Sequence, residues 1–174
     1  MKRVYKLLIV FISLLILTPV FLHYGLKDPL GNGKHIKNSL IQNFKKYEDV
    51  VIVVHSDKLD NYKDQLYKEV IYEEKKLTSK ERAIILNELK NADTRTAIMA
   101  GFIRPMCGFR PHHRIEFKNN DNVTFSAEVC FMCDSAQTND MKHSANWHGV
   151  KALRLAFKKI NFETNRSWWK LATK

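Results

Sequence analysis

The sequence predicts an α+β fold: a small mixed domain with a central antiparallel hairpin or sheet and packing helices, behind an N-terminal membrane helix. Three observations predict it. An apolar run opens the chain, a hairpin pattern occupies residues 113–131, and helical periodicity occurs on both sides of that hairpin. Helices and hairpin-linked strands without a βαβ rhythm are typical of α+β folds.

The N-terminal segment has the pattern of an export signal. Three basic residues lie among the first six positions, an apolar run follows from Leu7 to Leu22, and no acidic residue precedes Asp28. The run has 16 residues, or about 20 if it continues through Leu26, which lies between a signal-peptide core and a membrane span. We therefore predict a signal anchor over 1–26 that contacts the membrane through 7–26.

Cleavage of this segment is the alternative, and it would give a secreted or periplasmic domain. Gly25, with His23 two places before it, fits a cleavage site poorly. We therefore expect a single-pass protein of the cell membrane, with a linker over 27–35 and one exported, extracytoplasmic α+β domain over 36–174.

The part of the chain after Leu26 is basic. It holds 26 of the 29 Lys and Arg residues and all 18 acidic residues, which gives a formal charge of +8. A basic domain beside a membrane predicts anionic lipid or cell-wall polymer as partners. No nucleic acid is expected outside the cytoplasm, and the sequence does not identify a protein partner. Because the charge is spread along the chain and not gathered into one block, a Lys-rich proteome explains it better than a dedicated binding surface does.

The first half of the domain begins with the Pro/Gly-containing linker "KDPLGNGKH". Apolar side chains then recur at helical spacing and predict a short amphipathic helix over 36–47. The β-branched run Val50–Val54 predicts a buried strand, and "EVIYEE" over 69–74 predicts a second.

The second half begins with a capping-box pattern at Thr78 and Glu81, which predicts a helix ending near Asn91. Alternation over 113–117 and 123–131, with the turn-rich "KNNDN" between them, predicts the hairpin. Apolar residues from Trp147 to Ile160 share one face, with Lys and Arg elsewhere, and predict a basic amphipathic helix.

The hairpin pattern brings cysteines together. A turn over 118–122 centred on Asn120 pairs Phe117 with Val123 and, further out, Cys107 with Cys133. His113 lies on the same face, but Pro111 interrupts the first strand, and a one-residue slip would invert the faces.

Four interpretations of the cysteines follow. A disulfide, with Cys107–Cys133 slightly ahead of Cys107–Cys130, closes a loop of about 25 residues and adds about 3 kcal/mol. A single disulfide leaves one cysteine unpaired, so a zinc site is the alternative. Its ligands would be Cys107, Cys130, Cys133 and His113, with His112 as the second candidate for the histidine position. The cysteines can also be inert buried side chains or include a catalytic thiol.

The hairpin also resembles a known pattern. "CGFRPHHRIEF" followed by "EVCFMC" is similar to small bacterial exported or membrane-anchored proteins of unassigned function. In them a cysteine precedes Pro-[Arg/His]-His and an aliphatic strand, and Cys-Phe-x-Cys ends the return strand. The match covers about 27 of 174 residues, at Cys107, Pro111, His112, His113, Ile115, Cys130, Phe131 and Cys133. The resemblance implies that this hairpin is the signature unit of the group, and it implies no activity.

The sequence therefore favours a membrane-anchored envelope protein that binds or supports another component without catalysis. Its Cys/His cluster would staple the hairpin. The alternative function is a zinc-binding or thiol-dependent enzyme that uses Cys130, Cys133 and His113. No phosphate-binding glycine loop, Gly-x-Ser-x-Gly motif or paired carboxylate motif occurs in the sequence.

Overall fold

A computed structural model describes residues 32–56, 69–95 and 109–164 of the chain. The predicted anchor over 1–26, most of the predicted linker, and Cys107 lie outside these residues. Within the described ranges the helices are α1 (Asn32–Lys46), α2 (Ser79–Lys90) and α3 (Val150–Lys159). The strands are β1 (Asp49–His55), β2 (Ile71–Lys76), β3 (His113–Asn119), β4 (Asn122–Cys130), β5 (Ser135–Thr138) and β6 (Ala145–Asn146).

The six strands form one antiparallel sheet in the order β2-β1-β3-β4-β5-β6. Strands β3 to β6 form a meander, and β1 lies between β2 and β3. The mixed α+β fold with a central antiparallel sheet is therefore confirmed. The short strands β5 and β6 were not predicted, and they extend the predicted hairpin to the far edge of the sheet.

The hairpin is present, but its predicted turn and register are wrong. Asn120 and Asp121 alone form the turn, with φ of 49° and 64°, and Asn119 pairs with Asn122. Two positive φ values are typical of the type I′ turns that join antiparallel strands. A bulge lies between Phe117 and Lys118. Because of it, the cross-strand partner of Phe117 is Phe125, two residues further along β4 than the predicted partner Val123.

Beyond the bulge, this shift of two residues keeps the side chains on their predicted face, because strand side chains alternate with a period of two. Val123, which was predicted to face Phe117, instead lies opposite Lys118 and is exposed. His113, Ile115 and Phe117 are all buried on the face that packs against the helices. Strand β4 ends at Cys130, so Cys133 does not belong to the ladder at all.

The helices cover one face of the sheet and form the core with it. Helix α1 buries Ile36, Leu40 and Phe44, as its periodicity predicts, and Phe44 meets the Phe117 ring edge-on at 5.0 Å between centroids. Helix α3 buries four residues on the same core: Val150, Leu153, Ala156 and Phe157. The alternate positions of the central strands supply the other side of this core.

Two helix starts differ in how well the sequence predicts them. Thr78 caps α2, and the reciprocal bonds with Glu81 that define a capping box are both present. Helix α1 begins at Asn32, inside the predicted linker. Its Gly33 passes so close to Thr94 that a Cβ there would lie 2.2 Å from the Thr94 carbonyl oxygen. Gly33, which the sequence assigned to a linker, is therefore a packing residue of the helix.

Among the helices of the described ranges, none combines the length and the apolar character that a bilayer crossing requires.

Candidate functional site

Cys130 and Cys133 lie at the point where β4 turns into β5. Cys130 is the last residue of β4 and pairs with Ser135 of β5. Phe131–Asp134 form the turn, which the predicted Cys-x-x-Cys site required. Only 3% of Cys130 and 4% of Cys133 is exposed to solvent. The two sulfur-bearing side chains are thus enclosed by the fold.

The last helix fixes the turn that carries Cys133. The Arg154 guanidinium of α3 donates a hydrogen bond to the Phe131 carbonyl oxygen, lies 3.2 Å from an Asp134 carboxylate oxygen and covers the Phe131 ring. The Trp147 backbone N–H donates to the Asp134 carbonyl oxygen at 2.9 Å, and the Ser135 hydroxyl donates to the Cys133 carbonyl oxygen at 3.1 Å. The turn is therefore held from several directions by main-chain bonds.

Of the two described cysteines, Cys130 is a free thiol. Cys107, the third predicted member of the cluster, lies outside the described residues. A bond between Cys130 and Cys133 is therefore excluded in this structure, and so is one between Cys107 and Cys130.

His113 is enclosed by aromatic rings. Its imidazole meets the Phe131 ring at 4.7 Å between centroids, and Phe157 and Phe162 lie at 6.5 Å and 6.4 Å. Its Nε2–H donates to the Glu163 carbonyl oxygen at 2.9 Å. Burial in this apolar surrounding lowers the pKa of His113 to about 4, against the weaker raising effect of that hydrogen bond. His113 is therefore neutral at physiological pH.

His112, the second candidate for the histidine ligand, contacts the main chain of its neighbours. Its ring Nδ1 lies 2.9 Å from the Arg110 carbonyl oxygen, within hydrogen-bond distance. Its own carbonyl oxygen accepts a hydrogen bond from the His55 backbone N–H at 3.0 Å, which extends the β1–β3 ladder. Only 6% of the residue is exposed. Both bonds tie the start of β3 to its neighbours.

These positions do not suit a shared zinc site. His113 is paired with Val129 across the β3–β4 ladder, so the next residue, Cys130, points to the opposite face of the sheet. His113 also uses Nε2 to bind Glu163 and presents its ring to phenyl groups. Over the residues that the structure describes, no group of three or more His, Cys, Asp or Glu side chains is placed to hold a metal.

The opposite face of the sheet carries a second cluster, which we call the outer-face charge cluster: His55, Glu69, Arg114, Glu116 and Glu128. Arg114 lies at its centre. Its two terminal nitrogens bind both Glu69 carboxylate oxygens at 2.7 Å and 3.0 Å, and its Nε binds Glu116 at 2.7 Å. A Glu128 oxygen lies 3.4 Å away. These hydrogen bonds and charges raise the pKa of Arg114 above its ordinary value.

His55 joins two of these carboxylates. Its Nε2 lies 3.0 Å from Glu128, and its Nδ1 lies 3.3 Å from Glu69 and 2.9 Å from the Ser56 carbonyl oxygen. Burial lowers the pKa of His55, but the hydrogen bond and charge of Glu128 outweigh it and raise the pKa overall. The cluster connects three strands, β1, β3 and β4, with the residues that precede β2. Its carboxylates are already paired with Arg114 or His55.

Sequence reasoning missed this cluster for a specific reason. Arg114 pairs with Glu128 across β3 and β4, but the predicted register places Ser126 opposite Arg114. The alternation of "HRIEF" does put Arg114 and Glu116 on the polar face. A type I′ turn at Asn120-Asp121 with one bulge would have revealed the pair, whereas no local pattern indicates His55 and Glu69.

Comparison with family models, curated proteins and solved structures found no match to this chain. The fold and the two clusters define an α+β domain with one antiparallel sheet, helices on one face and a charge network on the other. The function is therefore inferred from the chain's own residues.

Proposed function

We propose that the chain is a membrane-anchored protein of the bacterial cell envelope. Residues 7–26 hold it in the membrane, and the α+β domain lies outside the cytoplasm. The domain binds or supports another envelope component, and its Cys/His cluster fastens the open end of the hairpin. The observation that carries the structural role of the cluster is the burial of Cys130, Cys133 and His113 in the interior.

The same burial disfavours the alternative of a thiol or zinc enzyme. A catalytic thiolate needs an accessible position and a positive or hydrogen-bonding environment that lowers its pKa. Cys130 and Cys133 are almost fully enclosed. The imidazole of His113 is neutral, is hydrogen-bonded to a backbone carbonyl and lies on the sheet face opposite Cys130, so it is not placed as a base for that thiol.

The fastening we propose is a disulfide between Cys107 and Cys133. Cys130 is a free thiol, so Cys107 is the remaining partner for a disulfide to Cys133. An exported domain permits the bond. The odd cysteine is then Cys130, a small apolar side chain buried in the sheet. The proposal no longer depends on the predicted cross-strand register.

The resemblance to small bacterial exported proteins agrees with this role. Its signature residues bracket the hairpin and the turn after β4, and the structure gives several of them packing or main-chain roles. Phe131 packs against His113, and His112 extends a ladder. A signature made of such residues is typical of a shared scaffold.

A reporter enzyme that is active only outside the cytoplasm tests the location. Fused after Lys174 of the full chain, it should be active, and the fusion should remain in the membrane fraction. Activity with release of a soluble domain that lacks residues 1–25 would favour the cleaved form. An inactive reporter, with the fusion protein intact, would refute the proposed location.

A further inference from the structure

Helix α1 presents a cationic face to solvent. The helix contains four lysines and no acidic residue. Lys34, Asn38, Gln42 and Lys45 follow one another at helical spacing, are all exposed, and lie opposite the buried stripe of the helix. The exposed Lys46 ends the helix beside this stripe. The outward face is therefore polar along about 20 Å and cationic at both ends.

The neighbouring charges leave this face positive. Lys37 points away from it and donates to the Lys90 and Ala92 carbonyl oxygens at the end of α2. Asp140 pairs with α1 through His35 at 3.1 Å. Glu48 is exposed just beyond the C-terminal end of the helix. Among the residues that the structure describes, the four lysines of α1 outnumber these two acidic groups.

The position of α1 in the chain brings this face close to the proposed membrane segment. Only residues 27–31 separate Leu26 from the first residue of α1. A fully extended chain of this length spans no more than about 20 Å. If residues 7–26 cross the bilayer, the N-terminal end of α1 must lie within that distance of the lipid headgroups.

We propose that the outward face of α1 docks on anionic phospholipid headgroups and sets the orientation of the domain on the membrane. The proposal rests on the membrane anchor of the proposed function. The partner follows from charge complementarity and from the short connection, because a cationic helix beside an anchored segment meets the bilayer before any soluble polymer. Lipid phosphates are the anions at that distance.

Lysine footprinting of the full-length chain in nanodiscs tests this docking. The chain is reacted with an amine-acylating reagent in phosphatidylglycerol-containing and in pure phosphatidylcholine discs, and the modification rate of each lysine is measured by mass spectrometry. Lys34, Lys45 and Lys46 should react about fivefold more slowly in the anionic discs. The protection should disappear at about 1 M salt, where the Debye length is about 3 Å.

Lys76 is the internal control. Its side chain is 69% exposed and it lies on the sheet face opposite the helices, paired with Val51. Its rate should be the same in both discs. A control variant, Lys80→Gln/Lys151→Gln/Lys158→Gln, removes the same charge from exposed positions of α2 and α3. Protection of the α1 lysines should persist in this variant.

Equal rates for the α1 lysines in the two kinds of disc would overturn the docking proposal. Two other results would also overturn the docking proposal: equal protection of Lys76, or loss of protection of the α1 lysines in the control variant. Either result would show that the basic domain as a whole is attracted to the anionic membrane. Extraction with alkaline carbonate separates this failure from failure of the anchor. A chain that carbonate removes from membranes lacks the anchor, whereas a retained chain without α1 protection refutes the docking alone.

Discussion

At the scale of single residues, two buried histidines respond to pH in opposite directions. Burial lowers the pKa of His113 to about 4, while the carboxylate of Glu128 raises that of His55 above its ordinary value despite burial. Each shift links the protonation of one side chain to the free energy of unfolding. The two histidines lie on opposite faces of the sheet, so their effects can be separated by substitution.

His113 is expected to destabilise the fold in acid. Between its unfolded pKa near 6.5 and its folded pKa of about 4, the unfolded chain binds a proton that the folded chain does not. Lowering the pH through this range should therefore cost about 3 kcal/mol. Urea unfolding in detergent at pH 4.5 and 7 should show a smaller difference for His113→Gln than for the unchanged chain. An NMR titration that places the pKa of His113 near 6.5 would contradict this.

His55 is expected to act in the opposite direction. Because its folded pKa is raised, its protonation stabilises the fold below the unfolded pKa of 6.5, and this contribution is lost as the pH rises through the folded value. In an NMR titration, Glu128→Gln should lower the pKa of His55. Glu88→Gln, which removes a carboxylate paired with Lys159 on the helical side, should leave it unchanged. A His55 pKa that is insensitive to the Glu128 substitution would refute this role of the Glu128 carboxylate.

At the scale of secondary-structure elements, α2 is the helix that the sequence predicts best, because its start signal is local. Thr78 Oγ1 accepts the Glu81 backbone N–H at 3.3 Å, and a Glu81 carboxylate oxygen accepts the Thr78 backbone N–H at 3.0 Å. Removing the hydroxyl leaves a helix-end N–H without its partner. The cap should therefore contribute measurably to stability.

Thr78→Ala is expected to lower the free energy of unfolding by about 1 kcal/mol. Thr78→Ser keeps the hydroxyl and serves as the matched control, with an expected change of a few tenths of a kcal/mol. Denaturant titration of the two variants beside the unchanged chain measures the difference. Equal stability of the Ala and Ser variants would show that the capping bond contributes nothing.

The elements that the sequence failed to predict depend on distant contacts. The cores of α1 and β1 follow from periodicity and β-branching, and the end of α2 at Asn91 was predicted correctly. In contrast, β5 and β6 have four and two residues, and they are strands because β4 and the Phe131–Asp134 turn position them. Short segments of this kind carry too little periodicity to be recognised.

The pairing of β3 with β4 at the candidate site was also only partly predictable from the sequence. His113, Ile115 and Phe117 were assigned to their correct face, since alternation is local. Val123 was also assigned to that face, but it lies opposite Lys118 and is exposed to solvent. The bulge after Phe117 has no sequence signal and moved the partners by two positions. The enclosure of His113 by three phenyl rings was equally hidden, because Phe157 and Phe162 come from a distant part of the chain.

At the scale of the whole molecule, the two faces of the sheet have different roles. The helices and the apolar core cover one face, while Arg114 and its carboxylates occupy the other. The turn that carries Cys133 is bound by α3 through Arg154. A disulfide from this turn to Cys107 would join the segment before β3 to the connection between β4 and β5. We propose that the cysteines fasten this end of the fold in this way.

Peptide mapping of the non-reduced, alkylated full-length chain tests that claim most directly. We expect one disulfide, between peptides that contain Cys107 and Cys133, and a mass two hydrogens below that of the reduced chain. Cys130 should be alkylated only after denaturation, because 3% of it is exposed. Reduction should lower the free energy of unfolding by about 3 kcal/mol. Three thiols that alkylate rapidly in the native protein, or a disulfide that includes Cys130, would contradict the account.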